Sequence, residues 1–483
     1  MSLAFAPFGF WPLAILSPAA LFLLWDKQSP KAAAKLGFAY GVGLFSSGTY
    51  WLYISINGFG QAPWWLAQGL MAGLIAIMSL YPAALGYGAA RWLPPAGLRR
   101  WLLGLPAGWV LFEWVRGWFL SGFGWLSLGY SQTDTPLAGF AAIGGVPLMT
   151  ALLLIMAGAV VVWWRAPQRR VLAALVLLLP WPTGWALQRI EWTEIEAEPV
   201  EIAIVQGAVS QDQKWLAENR DTTLALYRNL TLEALGTPLI VWPEAAAPDL
   251  ANNIVPYLQD LAAAAEGRAS HLLLGLIRAE PGASDEPLYY NSILAYGDEI
   301  EWYDKHHLVP FGEFFPVPKF IRQWLRLMNL PYSDFTPGAR EQRPLEVGGL
   351  RLAASICYED AYASSLRASS LAANALVNVT NDAWFGRSTA RHQHLQISRM
   401  RAIESRRYLI RAANDGISAV IGPRGELLSV APEFTPAVLR GAVVPRSGTT
   451  PYLAYGNLPW LLLAALAVLA AVLFRELPRR AAV

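Results

Sequence analysis

Cysteine is nearly absent. One thiol, Cys357, stands in 483 residues, so no intramolecular disulfide framework can form. Acidic side chains are almost as scarce over the first 187 residues, where Asp26, Glu113 and Asp134 accompany ten basic groups. No dense Lys/Arg cluster or basic stripe occurs, which excludes nucleic-acid binding by charge. Neither a G-x-S-x-G serine elbow nor a P-loop is present. His392 and His394 form an H-x-H pair with no third ligand at a sensible spacing, so a zinc site is not expected. Residues 1–10 lack a basic segment, and Pro7, Pro12 and Pro18 interrupt the apolar run, which argues against a cleaved signal peptide.

What the chain does hold is apolar. It is 55% hydrophobic and 15% charged, with 22 tryptophans and a mean hydropathy of +0.33, the composition of a membrane protein. Apolar stretches at 11–25, 36–55, 63–90, 101–120, 137–164, 171–187 and 458–474 each approach the ~20 residues that span a bilayer. Positive charge falls in connections 26–35, 91–100 and 165–170 and in the tail, whereas 56–62 and 121–136 carry none. Basic loops face the cytoplasm, which predicts that 188–457 lies on the opposite side. That topology puts Met1 outside the cytoplasm, so either a half-helix precedes residue 11 or a first helix lies upstream. The "GFAYG" (37–41) and "GLMAG" (69–73) patterns predict close helix packing. Glu113 and Arg116 read either as a helix-end ion pair or as a functional intramembrane pair.

Residues 188–457 are a different object, with 31 acidic and 24 basic side chains and a net charge of −7. Short aliphatic runs bounded by turn residues, at 200–207, 238–244, 271–277, 291–297, 351–359, 375–381 and 417–430, predict strands. Amphipathic stretches at 212–235 and 388–407 predict helices. Together they predict an α/β domain of about 270 residues, enough for one full core.

A lone thiol in an oxidising compartment is either a buried small hydrophobe or retained for its chemistry. A cysteine nucleophile needs a base and donors for the oxyanion that it creates. None of the five histidines sits in a familiar cysteine-histidine pattern. Glu244 closes the strand of "VWPEAAAP", where burial disfavours the charged form and makes a carboxylate a candidate base. Lys305 sits in "WYDKHHLVPFGEF" beside a second carboxylate, Glu313.

Glu, Lys and Cys in that order, in "VWPEAA", "YDKHHLVPFGEF" and "SICYED", resemble the three motifs of the nitrilase (carbon-nitrogen hydrolase) superfamily. The resemblance implies an α-β-β-α sandwich, with Glu244 as general base and acid, Lys305 stabilising the tetrahedral intermediate and Cys357 as nucleophile. It also implies that Tyr358 lends a backbone N–H to the oxyanion. Stretches from "LAFAPFGFWPLAI" through "RGWFLSGFGWLSLGYSQ" and "NDAWFGRS" to "SAVIGPRGE" resemble, over essentially the whole chain, the bacterial apolipoprotein N-acyltransferases. Members of that family usually carry another apolar helix before "FAPF".

The implied domains are a transmembrane bundle (1–187), a periplasmic catalytic domain (188–457) and a final helix with a basic tail (458–483). The implied reaction takes an acyl chain from a phospholipid, typically phosphatidylethanolamine, through a Cys357 thioester to the N-terminal amine of a diacylated apolipoprotein at the inner membrane. It needs neither metal nor cofactor. Glu313 and Glu359 match positions that orient the lysine and the nucleophile loop, and Trp215 in "DQKW" resembles an aromatic that contacts substrate or a mobile loop; each is also compatible with a structural role. Two alternatives stand beside the transferase: a membrane-tethered amidase in which water resolves the thioester, and a catalytically silent lipid-binding scaffold. The apolar loop 314–332, with three Phe and one Trp, is expected to dock on the membrane, admit the acyl chain and keep water out.

Overall fold

The computed structural model describes residues 1–282, 287–310, 312–314 and 335–473, and the chain divides into two compact units. Met1–Tyr50, Trp65–Ile190 and the chain from Tyr455 onward make the first; Trp51–Trp64 and Glu191–Ala454 make the second.

Helices build the first unit. Three of those described, Trp64–Trp92, Pro136–Arg165 and Pro167–Gln188, are long and apolar enough to cross a membrane; Leu13–Leu24 and Leu458–Leu473 are apolar but shorter. Seven spans were expected, and an apolar run proves longer than its helix wherever the backbone breaks. The run at 101–120 becomes a π-helical turn, Arg99–Gly104, followed by a 12-residue helix ending at Arg116. There Arg116 donates to the carbonyls of Phe123 and Trp125, both at 2.6 Å, and to Ser127 Oγ at 3.1 Å. Glu113 accepts from Leu128 N at 3.1 Å and Thr150 Oγ1 at 2.7 Å. The pair therefore satisfies a non-helical segment in apolar surroundings, where unpaired backbone groups are costly. Gly37 and Gly41 do pack closely, since a Cβ on them would lie 2.2 Å from Pro82 O and 2.7 Å from Ser79 Cα. Gly69 and Gly73 do not: nothing lies within 4 Å of a Cβ at either, because that face of the helix is open.

The second unit is a sandwich. Its strands are β1 (Thr193–Ile195), β2 (Val200–Gln206), β3 (Leu239–Val241), β4 (His271–Glu280), β5 (Leu288–Tyr296), β6 (Ile300–Asp304), β7 (Leu345–Val347), β8 (Leu350–Ile356), β9 (Ala375–Thr380), β10 (Leu409–Ala413), β11 (Ala419–Ile421), β12 (Leu427–Val430), β13 (Ala437–Val443) and β14 (Arg446–Gly448). Two six-stranded sheets form in the orders β13-β2-β3-β4-β5-β6 and β7-β8-β9-β10-β11-β12, while β1 pairs with β14. Each sheet repeats one pattern of three parallel strands followed by two antiparallel ones, with a further antiparallel strand on the outer edge.

Side-chain alternation explains the layers. Ile202, Ile204, Leu239, Val241 and Ile293 of one sheet meet Leu352, Ala354, Ile356, Val377 and Ile410 of the other in a shared core. The opposite faces, Ala203, Val205 and Ile240 on one side and Ala353, Leu376 and Leu409 on the other, pack under helices that include Arg220–Ala234, Val255–Glu266 and Ala390–Ser405. The result is the expected α-β-β-α order.

Two helical expectations change. The stretch 212–235 divides into Gln211–Lys214, Ala217–Asn219 and Arg220–Ala234, and the helix within 388–407 is buried along most of its length instead of being amphipathic. Strand 417–430 is a hairpin turning at Gly425, where φ is +83°. Apart from Phe314, loop 314–332 lies outside the described residues.

Candidate active site

Glu244 follows β3 after Trp242 and Pro243, at the carboxyl end of a parallel strand. Gly275 on β4 lets this turn in close, because a Cβ there would lie 2.1 Å from Pro243 O. Glu244 is 6% exposed. It accepts from Asn291 Nδ2 at 2.8 Å and Asn381 N at 2.8 Å, and Oε1 lies 3.3 Å from Lys305 Nζ.

Lys305 follows β6 and is 1% exposed. Its Nζ donates to Glu313 Oε1 at 2.7 Å. Burial alone would lower Lys305, but the Glu244 and Glu313 carboxylates outweigh it and hold the group well above its ordinary value. Glu313 is fixed in turn by Val309 N at 2.8 Å and Asn291 Nδ2 at 3.1 Å. Asn291 thus bridges both carboxylates that flank the ammonium.

Cys357 follows β8, 7% exposed, with φ at +54°. A side-chain-bearing residue is strained in that left-handed region. The turn is tied down by Glu359, whose Oε2 accepts from Ile356 N at 2.8 Å and Tyr303 Oη at 2.9 Å, and whose Oε1 accepts from His306 N at 2.8 Å and His307 N at 3.0 Å. One carboxylate therefore joins the cysteine turn to the backbone just after Lys305. Burial pushes the Cys357 thiol well above its ordinary value, Glu244 adds to the rise and Lys305 opposes it. A thiol held up in this way needs a base to take its proton before it can attack.

Tyr358 packs its ring edge against Tyr362, with the hydroxyls 2.7 Å apart. Trp215 is half-buried and follows Lys214, which is fully buried with its Nζ 3.5 Å from Glu244 O. Burial lowers Lys214 to about 8.

Sequence reasoning missed Asn291, Asn381 and Lys214. It also missed a fully buried cluster of Asp360, Asp382, His394 and Arg411 behind the cysteine turn. A signal existed for the neighbourhood of that cluster: Asn378 and Thr380 are polar residues inside the otherwise apolar strand "ALVNVT". His394 pairs with Asp382 and Asp360, which explains a histidine that the sequence left without a partner.

Comparison with known proteins bears on the whole chain. Residues 1–159 match the apolipoprotein N-acyltransferase N-terminal domain, and residues 201–452 match carbon-nitrogen hydrolase. The apolipoprotein N-acyltransferase of Vibrio cholerae serotype O1 is 40% identical over 96% of this chain and 93% of its own length. That of Azotobacter vinelandii is 42% identical over 97% and 91%. Among solved structures, a carbon-nitrogen hydrolase from Helicobacter pylori G27 is 19% identical over 51% of this chain and 89% of that chain, with a TM-score of 0.39, too slight a likeness to carry weight. With family-level identity sustained from end to end, the chain belongs to the apolipoprotein N-acyltransferase family.

Proposed function

We propose that this protein moves an acyl chain from a phospholipid to the N-terminal amine of a diacylated lipoprotein through a thioester on Cys357. One observation carries the reading: a buried ammonium, Lys305, lies between two carboxylates within electrostatic reach of a thiol held in a strained turn.

Glu244 takes the thiol proton as sulfur attacks the ester carbonyl. The charge that develops on the carbonyl oxygen is met by Lys305 and the Tyr358 N–H. Glu244 returns the proton to the departing lysophospholipid alcohol. The lipoprotein amine then attacks the thioester and loses a proton to Glu244, which passes it to the departing Cys357 sulfur, leaving an amide and the free thiol. Glu313 and Asn291 keep the ammonium and the base in register, and Glu359 keeps the cysteine turn beside them. Trp215, next to Lys214, is assigned a contact with substrate or with a mobile loop. In this reading the donor is phosphatidylethanolamine, the first unit crosses the inner membrane several times and the second unit faces the periplasm, an orientation that the distribution of basic loops supports.

The test is to incubate protein with acyl-labelled phosphatidylethanolamine and no acceptor. Label should bind the wild type, resist removal except by neutral hydroxylamine, fail to bind Cys357→Ser, and leave as an amide on addition of a diacylated cysteinyl peptide. Rapid release as free fatty acid would identify a hydrolase, and an unlabelled folded protein would reject the thioester.

A further inference from the structure

We infer that Asn378 and His394 are positioning residues for the oxyanion site, acting through the peptide that joins Cys357 to Tyr358. The inference rests on the reading of Cys357 as nucleophile.

The Cys357 carbonyl accepts two hydrogen bonds from the core side, from Asn378 Nδ2 at 3.1 Å and His394 Nε2 at 3.1 Å. The peptide that follows is trans, so its C=O and N–H lie in one plane and point in opposite directions. Donors that fix the carbonyl therefore fix the Tyr358 N–H on the other side. Drawing electron density toward the carbonyl oxygen also makes that N–H a stronger donor.

Neither donor is free to turn. Asn378 Oδ1 accepts from Arg411 at 2.8 Å, which leaves its NH2 group facing Ser355 Oγ at 3.0 Å and the Cys357 carbonyl. His394 Nδ1 meets Asp382 Oδ1 at 2.8 Å, while Nε2 meets the Cys357 carbonyl and Asp360 Oδ1 at 3.2 Å. The carboxylates of Asp382 and Asp360, each paired with Arg411, and the Cys357 carbonyl are acceptors, so both ring nitrogens that meet them carry protons and the ring is an imidazolium. Arg411 supplies the second cation at 2.9 Å from Asp382 and 3.7 Å from Asp360, and Ser398 donates to Asp360. Buried ion clusters seldom add net stability; orientation of the Cys357 carbonyl is the fitting reason for four buried charges here.

Isotope-edited infrared spectroscopy of the acyl-enzyme, made with a carbonyl-13C donor lipid, reads the oxyanion site through the thioester stretch. His394→Leu and Asn378→Leu should each move the stretch to higher frequency and slow acylation roughly ten- to hundredfold with little change in KM. His394→Gln, which keeps one donor, should recover part of both. A folded variant whose acylation slows while the stretch stays put would show a merely structural role and overturn the inference, as would an unchanged rate. Should His394→Leu not fold, Asn378→Leu decides by the same two readouts. A wild type that forms no acyl-enzyme would instead overturn the nucleophile reading beneath it.

Discussion

At the scale of single residues, the charges behind the cysteine turn set a pH window. His394 is lowered by burial and by Arg411, but Asp360 and Asp382 outweigh both and hold it up to about 9. Asp382 is raised by burial, but His394 and Arg411 hold it down at about 2. The sign follows from linkage. The stability that His394 contributes is complete below its ordinary 6.5 and disappears as pH rises through about 9. That of Asp382 is complete above 3.8 and disappears as pH falls through about 2. The melting temperature of detergent-solubilised protein should therefore be level between those ordinary values and fall on both sides, with the alkaline fall reduced in His394→Gln. A wild-type alkaline limb identical to that of the variant would contradict the imidazolium. Glu244 and Cys357 were legible because each follows an apolar strand in a short local motif, and Lys305 from its motif alone, since its strand Ile300–Asp304 carries Glu301 and Asp304. Asn291 and Asn381 were not, because they meet Glu244 from 47 and 137 residues away, a pairing that only the assembled sheets create.

Between residues and domains stands the segment Trp51–Trp64, which follows one helix of the first unit in sequence and leads into another yet packs within the second. Trp51 stacks edge-on against Phe385 at 4.7 Å and reaches Gln393 Oε1 at 3.3 Å; Ser55 Oγ donates to Trp384 O at 2.6 Å. The loop it clasps, Asp382–Phe385, begins directly after Asn381, whose N–H holds Glu244. Trp51→Ala should speed amide hydrogen exchange across 381–386 and slow acylation several-fold, since removing a buried aromatic costs about 3–5 kcal/mol of local packing; Trp51→Phe should keep most of both. Exchange unaltered in the alanine variant would separate the strap from the loop. Composition gave no hint of this element, because residues 56–62 look like an ordinary uncharged connection. Six of the described strands went unread: β1, β7 and β14 have three residues each, and β6, β10 and β13 carry Glu301, Arg411 and Arg440 inside their runs. Helix Ala390–Ser405 looked amphipathic because His394, Arg401 and Glu404 are polar, yet all three are buried.

For the whole molecule, a single cysteine makes topology directly measurable. In a Cys357→Ser background, a cysteine replacing exposed Asp298 of the second unit should react with a membrane-impermeant maleimide in cells with a permeabilised outer membrane. One replacing exposed Arg99 should react only after the inner membrane is broken. The reverse result would place the second unit in the cytoplasm and overturn the proposed orientation. The sandwich was legible from strand runs and motif order, whereas helix lengths in the first unit were not, because the prolines, glycines and π-helical turns that interrupt an apolar run leave its hydropathy unchanged. The strap also limits how far this protein can be treated as modular. A catalytic fragment begun at residue 188, where the composition changes, would omit Trp51–Trp64 and leave Trp384 and Phe385 without their aromatic cover, beside the loop that steadies Glu244. Grafting that fragment onto another anchor would therefore transplant an incomplete enzyme: part of its periphery is encoded more than a hundred residues upstream, and the graft must carry both pieces.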